Sequence, residues 1–274
     1  MSVNVYLSGD SIHDRVLQAF YDGCPSEKRF LRVEHYEPSE VGVVFGVSKR
    51  AVPYSQFRGK VISEQTRLRQ KVIILETGYV NRGDEETNHY ACGFGGMNGR
   101  GDFRNQNSPP DRWRKLGVNL KPWRGISGEN YVLLCGQVPW DANVEHIHMD
   151  EWIVESHKRL CRRTDRKILF RPHPRALGRL RINGLPEHTG PIVWDEVHAV
   201  VTYNSNTAVE AVINGVPAFV DDIGSMALPV SSRSLYDIES PWYPARERWA
   251  QDLAYTQWTP NEMRNGEAWS HLFR

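Results

Sequence analysis

The tetrad Arg171-Pro172-His173-Pro174 stands directly after the apolar run KILF at 167–170, which has the length and composition of a buried strand. Ligands of open α/β sheets bind outside the carboxyl ends of the strands. A guanidinium there offers a planar fork for phosphate or carboxylate, and an imidazole can bond a phosphate or a base edge. The two prolines restrict the backbone that carries both side chains. The plain structural alternative is a rigid turn with solvated side chains, but four special residues at one strand end favour function.

A second candidate is the stretch Thr202-Tyr203-Asn204-Ser205-Asn206-Thr207-Ala208-Val209-Glu210. A strand stops, small hydroxyl and amide side chains follow, and a helix starts. Unpaired N–H groups and the positive end of the helix dipole favour an anion there. The hydroxyls of Ser205 and Thr207 would add bonds to a diphosphate. Thr207-x-x-Glu210 also has the spacing of a capping box, so Glu210 stands open between ligand contact and cap. Gly136 and Gln137 end a further apolar run, YVLLC at 131–135, and hold the same kind of strand-end place.

A third cluster is Gly95-Gly96-Met97-Asn98-Gly99-Arg100-Gly101-Asp102-Phe103. Its glycines permit positive φ and close approach to a ligand; a flexible linker is the alternative. It is neither a phosphate-binding lysine loop nor a dinucleotide fingerprint, since G-K-[ST] and a strand-borne G-x-G-x-x-G are both missing. Acidic candidates for a general base are Asp10, Glu76, Asp84, Glu85 and Asp102. Glu76, after the strand KVIIL at 71–75, and Asp102, on the glycine loop, lead among them. Asp141 is the strand-end acid of the second half. His146-x-His148 with Asp150 is a weak metal signature, because two histidines two apart on a helix diverge.

These residues need elements to hold them. Strands are predicted at 3–7, 41–47, 71–75, 131–135, 167–170, 191–194, 199–202 and 216–220. Helices are predicted at 12–21, 58–71, 150–162 and 207–214, and the tail 234–274 reads as helical. Strand, turn and helix alternate, which predicts an α/β fold with mostly parallel sheets. The alternation breaks once, over 81–128. That places the division near residue 125, with lobes 1–125 and 126–274.

Charge adds a pattern that the net value of +1 hides. Residues 99–127 carry seven basic and two acidic groups, and 157–183 carry ten and one. Residues 128–156 carry six acids and no Lys or Arg, and 184–274 carry five basic and twelve acidic groups. Basic tracts attract phosphates of nucleotides or nucleic acid; mutual neutralisation within the fold is the alternative. Arg100, Arg104, Arg112, Trp113 and Arg114 combine charge with an aromatic, as nucleic-acid binding requires. Nine tryptophans argue against disorder, and no apolar run reaches membrane-spanning length. Four scattered cysteines without C-x-x-C and no visible signal peptide lead to the expectation of a reduced, cytoplasmic protein.

Residues 131–219, with YVLLCGQVPWD, KILFRPHP and VVTYNSNTAVEAVINGVPAFV, resemble the C-terminal lobe of GT-B-fold glycosyltransferases. The similarity is to capsule-type and Kdo-type transferases and to related bacteriophage genes, and the closing LAYTQWTPNEMRNGEAW is also like that group. The resemblance implies two Rossmann-like lobes in a compact GT-B arrangement. It implies a nucleotide-sugar donor (UDP-, CMP- or another) in the second lobe, an acceptor in the first, and no strict need for a metal. His173-Pro174 and Ser205 look like the His-Pro and Ser motifs that hold the nucleotide in bacterial sialyltransferases. Gly136, Gln137, Arg171, Asn206, Thr207 and Glu210 would line the donor site. Glu76 or Asp102 would deprotonate the acceptor if the reaction inverts. The basic tracts direct the acceptor expectation to a hydroxymethylated pyrimidine in double-stranded phage DNA, inside an infected host. The alternatives are a surface polysaccharide or lipid-linked glycan, and a non-enzymatic nucleotide or nucleic-acid binder.

Overall fold

The computed structural model describes residues 1–33, 35–47, 53–84, 87–125 and 130–274, the side chains of 53–55 apart. The chain forms two compact units, Met1–Gly117 with Ala250–Arg274, and Val118–Trp249.

Unit 1 begins with β1 (Ser2–Leu7), α1 (Ser11–Gly23), β2 (Lys28–Val33), β3 (Val41–Phe45), α2 (Pro53–Arg67), β4 (Lys71–Thr77), β5 (Tyr90–Phe94) and α3 (Asp111–Leu116). Unit 2 holds β6 (Tyr131–Cys135), α4 (Met149–Cys161), β7 (Ile168–Arg171), β8 (Val197–Thr202), α5 (Thr207–Ile213) and β9 (Ala218–Val220). α6 (Glu247–Ala254) leads the chain back into unit 1, where β10 (Gln257–Trp258), α7 (Pro260–Arg264) and α8 (Glu267–Leu272) complete it.

Unit 1 is built on a six-stranded sheet of order β10-β5-β4-β3-β1-β2. β2, β1, β3 and β4 run parallel, and β5 and β10 are antiparallel additions. The period-2 alternation of strands sorts the core into two layers. Val3, Val5, Val41, Val43, Phe45, Ile73 and Leu75 pack on the α1 side with Val16, Leu17 and Phe20. Tyr6, Val44, Val72 and Ile74 pack on the opposite side with Val61 of α2. α1 and α2 therefore cover opposite faces, which makes the gap between the carboxyl ends of β1 and β3 the topological switch of this sheet.

Unit 2 is an all-parallel sheet of order β7-β6-β8-β9. Val132, Leu134, Ala199 and Val201 face Met149, Ile153 and Leu160 of α4. Leu133, Cys135 and Val200 face Ala211 of α5. The switch lies between β6 and β8.

The expected α/β architecture with mostly parallel sheets is present; β2 is a strand the sequence reading did not predict, and three further differences bear on the site. The tail does not stay with the second unit: residues 250–274 belong to unit 1, so the expected division at 125/126 gives way to one at 117/118 with a return at 250. The cause is a set of buried anchors. Trp258 and Trp269 enter the α1-side core. The Gln257 side chain accepts from the amides of Tyr79 (2.7 Å) and Val80 (3.1 Å) and donates to the Val80 carbonyl (3.0 Å). Second, 81–128 contains β5 and α3, whose shortness hid them from periodicity. Third, 191–194 is not a strand; the chain passes there into a 3-10 turn, Trp194–Glu196. Among the described residues no helix is long and apolar enough to cross a membrane.

Candidate functional site

The carboxyl edge of the unit 2 sheet gathers the donor-site candidates. Arg171 pairs with Cys135, and Cys135 with Thr202, so the ends of β7, β6 and β8 lie side by side at strand spacing, about 4.8 Å each. Gly136 continues the ladder, its amide donating to the Arg171 carbonyl at 2.9 Å. A Cβ on Gly136 would stand 3.1 Å from the Phe170 ring and 3.2 Å from Ile153, so Phe170 and Ile153 pack closely over the glycine.

Gln137 and Asn204 close the switch. The Gln137 amide donates to the Asn204 side-chain oxygen at 2.6 Å, and the Asn204 backbone amide donates to Gln137 Oε1 at 3.0 Å. Asn204 Nδ2 then donates to Asp222 Oδ2 at 2.6 Å, and Asp222 accepts in turn from the Gly224 amide at 3.1 Å. Asn204 and Asp222 are both buried, at 6% exposure each, where a polar group without a partner costs on the order of 1–3 kcal/mol. The network fixes the loop that presents Ser205.

Arg171 is half-buried, and its Nη1 donates to the Gly190 carbonyl at 2.6 Å and lies 3.1 Å from His188 Nδ1. Its fork is thus tied on one side to the segment that adds to the free edge of β7. His173 caps the 3-10 turn Pro174–Ala176, its Nδ1 accepting from the Arg175 amide at 3.2 Å. That bond puts the proton of the neutral ring on Nε2.

The α5 end differs from expectation. Its N-cap is Asn206, without a side-chain cap bond, and Glu210 Oε1 accepts from Asn206 Nδ2 at 3.2 Å. The Thr207-to-Glu210 capping box is not formed. The Thr207 amide faces Ser205 Oγ (3.3 Å), and the Ala208 amide donates to the Ser205 carbonyl (3.1 Å). These amides are already engaged and the helix has only seven residues, so side chains rather than a helix dipole carry any anion binding. Thr207 Oγ1 lies 3.2 Å from Ser205 Oγ and also bonds the Cys135 thiol, which burial pushes up to about 12.

In unit 1 the two leading base candidates are not brought together. Glu76 sits half-buried near the carboxyl end of β4, with Oε1 accepting from the Thr77 amide at 2.9 Å. Asp102 pairs with Phe94, which stands opposite Ile73 near the start of β4. The two are separated by roughly 10 Å along the strand direction. Asp102 is exposed and paired with Arg104 at 3.2 Å. The glycine cluster is a tight structural loop: added Cβ atoms on Gly96 and Gly101 would stand 2.6 Å from the Arg100 carbonyl oxygen and 2.7 Å from the Gly96 carbonyl oxygen. Asp84 is described and accepts from the Thr87 hydroxyl at 2.7 Å; Glu85 lies outside the described residues.

The five nucleic-acid candidates do not form one exposed surface. Arg112 is buried, with Nη1 3.1 Å from Glu262 and its guanidinium 3.7 Å from the centre of the Trp258 ring. It is an internal brace and not an exposed polyanion contact. Arg100 and Arg114 are exposed, Trp113 is half-buried, and Arg104 is paired with Asp102. The basic tract is itself divided between the units at 117/118. Trp123 is half-buried in unit 2, its Nε1 donating to the Pro244 carbonyl at 2.8 Å.

Part of the second basic tract is paired with acids of the flanking tracts. Arg162 meets Glu155 (3.6 Å), Arg166 meets Glu239 (3.0 Å) and Arg179 meets Asp150 (3.5 Å). His146 lies 3.0 Å from the Tyr203 hydroxyl, and His148 is the N-cap of α4. Asn204 and Asp222 escaped sequence reasoning as site residues, although Asn204 stood inside the quoted motif. Their partners lie 67 and 18 residues away in the chain, and no local pattern signals that pairing.

No protein-family model matches the chain, and no curated protein matches it. Solved structures do. The β-Kdo 2,4-transferase of KpsC from Thermosulfurimonas dismutans matches with a TM-score of 0.61 at 12% identity, covering 92% of this chain and 89% of that one. The β-Kdo 2,7-transferase of the same organism's KpsC matches with a TM-score of 0.54 at 12% identity, covering 97% and 98%. The chain thus has the fold of these two transferases over nearly all of its length.

Proposed function

We propose that the protein is a glycosyltransferase that takes a sugar from a nucleotide-sugar donor held by unit 2 and transfers it to a hydroxyl acceptor. The observation that carries this reading is the polar edge of the unit 2 sheet. Gly136, Gln137 and Ser205 stand at its switch, and Arg171 and His173 at the end of the neighbouring β7, on the edge where α/β sheets take ligands. The shared fold with Kdo transferases supports the same reading. Arg171, the Nε2–H of His173 and the hydroxyl of Ser205 would neutralise the leaving phosphate, as preorganised donors do where charge develops.

The acceptor is proposed to be a saccharide hydroxyl of a surface polysaccharide. A hydroxymethylated pyrimidine in double-stranded DNA is the weaker reading, because Arg112 is consumed inside unit 1 and the basic tract is split between the units. Incubation with CMP-Kdo and with UDP- and GDP-linked sugars, read by thermal shift and nucleotide release, tests the donor. Stabilisation and release by one donor class supports the proposal; no response to any donor overturns it. Stabilisation without turnover in the presence of acceptors would leave a binding protein. Label transfer to a Kdo-terminated saccharide or to hydroxymethylcytosine DNA decides the acceptor.

A further inference from the structure

The amino end of the unit 2 sheet carries a surface that the donor site does not use. Arg166, just ahead of β7, donates through Nη1 to the carbonyl of Asn130, just ahead of β6, at 3.2 Å. Its Nε lies 3.0 and 3.1 Å from the two carboxylate oxygens of Glu239, which also accepts from the Thr164 hydroxyl. These bonds seat the segment 235–243 against the end of α4. β6 has five residues and spans about 16 Å, so this surface stands that far from the edge that presents Gln137 and Ser205.

Three aromatic rings are exposed on the segment: Tyr236 at 71%, Trp242 at 54% and Tyr243 at 37%. Among the described residues only Phe30 and Trp140 are comparable aromatics, so the exposed rings concentrate here. The backbone beneath them is anchored. Leu235 and Ile238 are buried in the α4-side core, and Ser234 Oγ accepts from the Tyr236 amide at 3.3 Å. The Arg163 guanidinium lies over the Tyr236 ring, 3.6 Å from its centre. That stack holds the ring upright, leaves its second face to solvent and leaves the N–H edge of Arg163 for an acceptor. Tyr243 packs edge-on against Trp123 at 5.6 Å. Burial raises its phenol and the Arg166 charge opposes the rise, which puts Tyr243 beside Arg166.

The charges around the rings are of both signs. Among the described residues Lys158, Arg163 and Lys167 form no ion pair, and neither do Asp165 and Asp237. A cleft of about 560 Å³ between Arg162, Arg163, Asp165, Arg166 and Glu239 adjoins the Tyr236 stack, in the size range of small-ligand sites. A nucleic acid or an acidic bilayer presents one dense sign of charge, which Asp165, Asp237 and Glu239 oppose. A sugar chain with a carboxylate on some of its residues presents hydroxyls to groups of either sign, carboxylates to Arg and Lys, and apolar ring faces to Tyr and Trp.

We propose that this face of unit 2 binds the chain of a carboxylated polysaccharide, with Tyr236 and Trp242 as stacking surfaces and Arg163 as a carboxylate contact. The ligand class rests on the saccharide acceptor proposed above; the binding itself needs neither donor nor turnover.

Affinity electrophoresis of the full chain in gels containing polygalacturonate or alginate tests the proposal, with dextran as the neutral polymer. Both acidic polysaccharides are expected to retard the protein, and dextran is not. Tyr236→Ala, Trp242→Ala and Arg163→Ala are each expected to weaken the binding by about tenfold, and Arg163→Lys by less, because it keeps the charge and loses the fork. All four positions are exposed, so the melting temperature and the donor-induced thermal shift are expected to match wild type. Duplex DNA and phosphatidylglycerol vesicles serve as the competing partners. No retardation by either acidic polysaccharide, equal retardation of wild type and all the variants, or tighter binding to DNA or vesicles overturns the proposal. A wild type that binds the polysaccharides through Tyr236 and Arg163 but responds to no donor overturns the transferase reading and supports the binding surface.

Discussion

Gln137 and Asn204 exchange two hydrogen bonds across the gap between β6 and β8, at 2.6 and 3.0 Å. Each residue supplies the other with a donor and an acceptor, and Asn204 passes the chain of bonds on to the buried Asp222. The loop carrying Ser205 is therefore set by a network in which every amide has a single workable orientation.

Replacing Asn204 by Ala is expected to cost about 2–4 kcal/mol of stability, since Gln137 and Asp222 both lose a buried partner. Chemical denaturation of the variant reads the loss. Donor-nucleotide affinity should fall with it, measured by calorimetry at a temperature where the variant is folded.

Gly136→Ala introduces a Cβ 3.1–3.3 Å from Phe170 and 3.2 Å from Ile153. The expected outcome is destabilisation of about 1–3 kcal/mol from overpacking. Combining it with Phe170→Leu should cost less than the sum of the two single changes, a coupling that a double-mutant cycle in urea would reveal.

Arg112→Ala leaves Glu262 buried without its main partner, and an expected loss of about 3–5 kcal/mol follows. Arg114→Ala, at an exposed position of the same helix, should stay within about 0.5 kcal/mol of wild type. Thermal unfolding of the two variants separates an internal brace from a surface charge. Equal and negligible effects would contradict the burial of Arg112.

Unit 1 should lose stability in acid through two groups. Burial holds His271 down to about 4, with its Nε2 2.8 Å from the Phe103 carbonyl. Burial raises Glu262, but hydrogen bonds from Arg112 and Lys115 outweigh it and bring the carboxyl down to about 2. Both folded-state values lie below the ordinary ones of 6.5 and 4.5. The unfolded chain therefore binds more protons in these windows, and stability falls as pH falls. The His271 contribution, on the order of 3 kcal/mol, should disappear between about pH 6.5 and 4, and that of Glu262 between about 4.5 and 2. Urea unfolding across this range tests it, and His271→Gln should flatten the upper part of the profile.

By itself the sequence determined the α/β class, most of the parallel strands and the strand-end position of Arg171, His173 and Ser205. These are local properties: apolar runs of strand length, prolines and small polar residues that follow them, and helical spacing after each turn. The tertiary structure decided everything that depends on a distant partner. Arg112 looked like a surface charge until Glu262, 150 residues away, was found beside it. Asp102 and Glu76 looked like alternatives for one role until antiparallel β5 carried the glycine loop toward the start of β4. The tail read as part of the second lobe until Gln257 and Trp258 were found buried in the first. Spacing along the chain reports which face of an element a residue occupies; which residue meets that face is fixed only when the sheet order is.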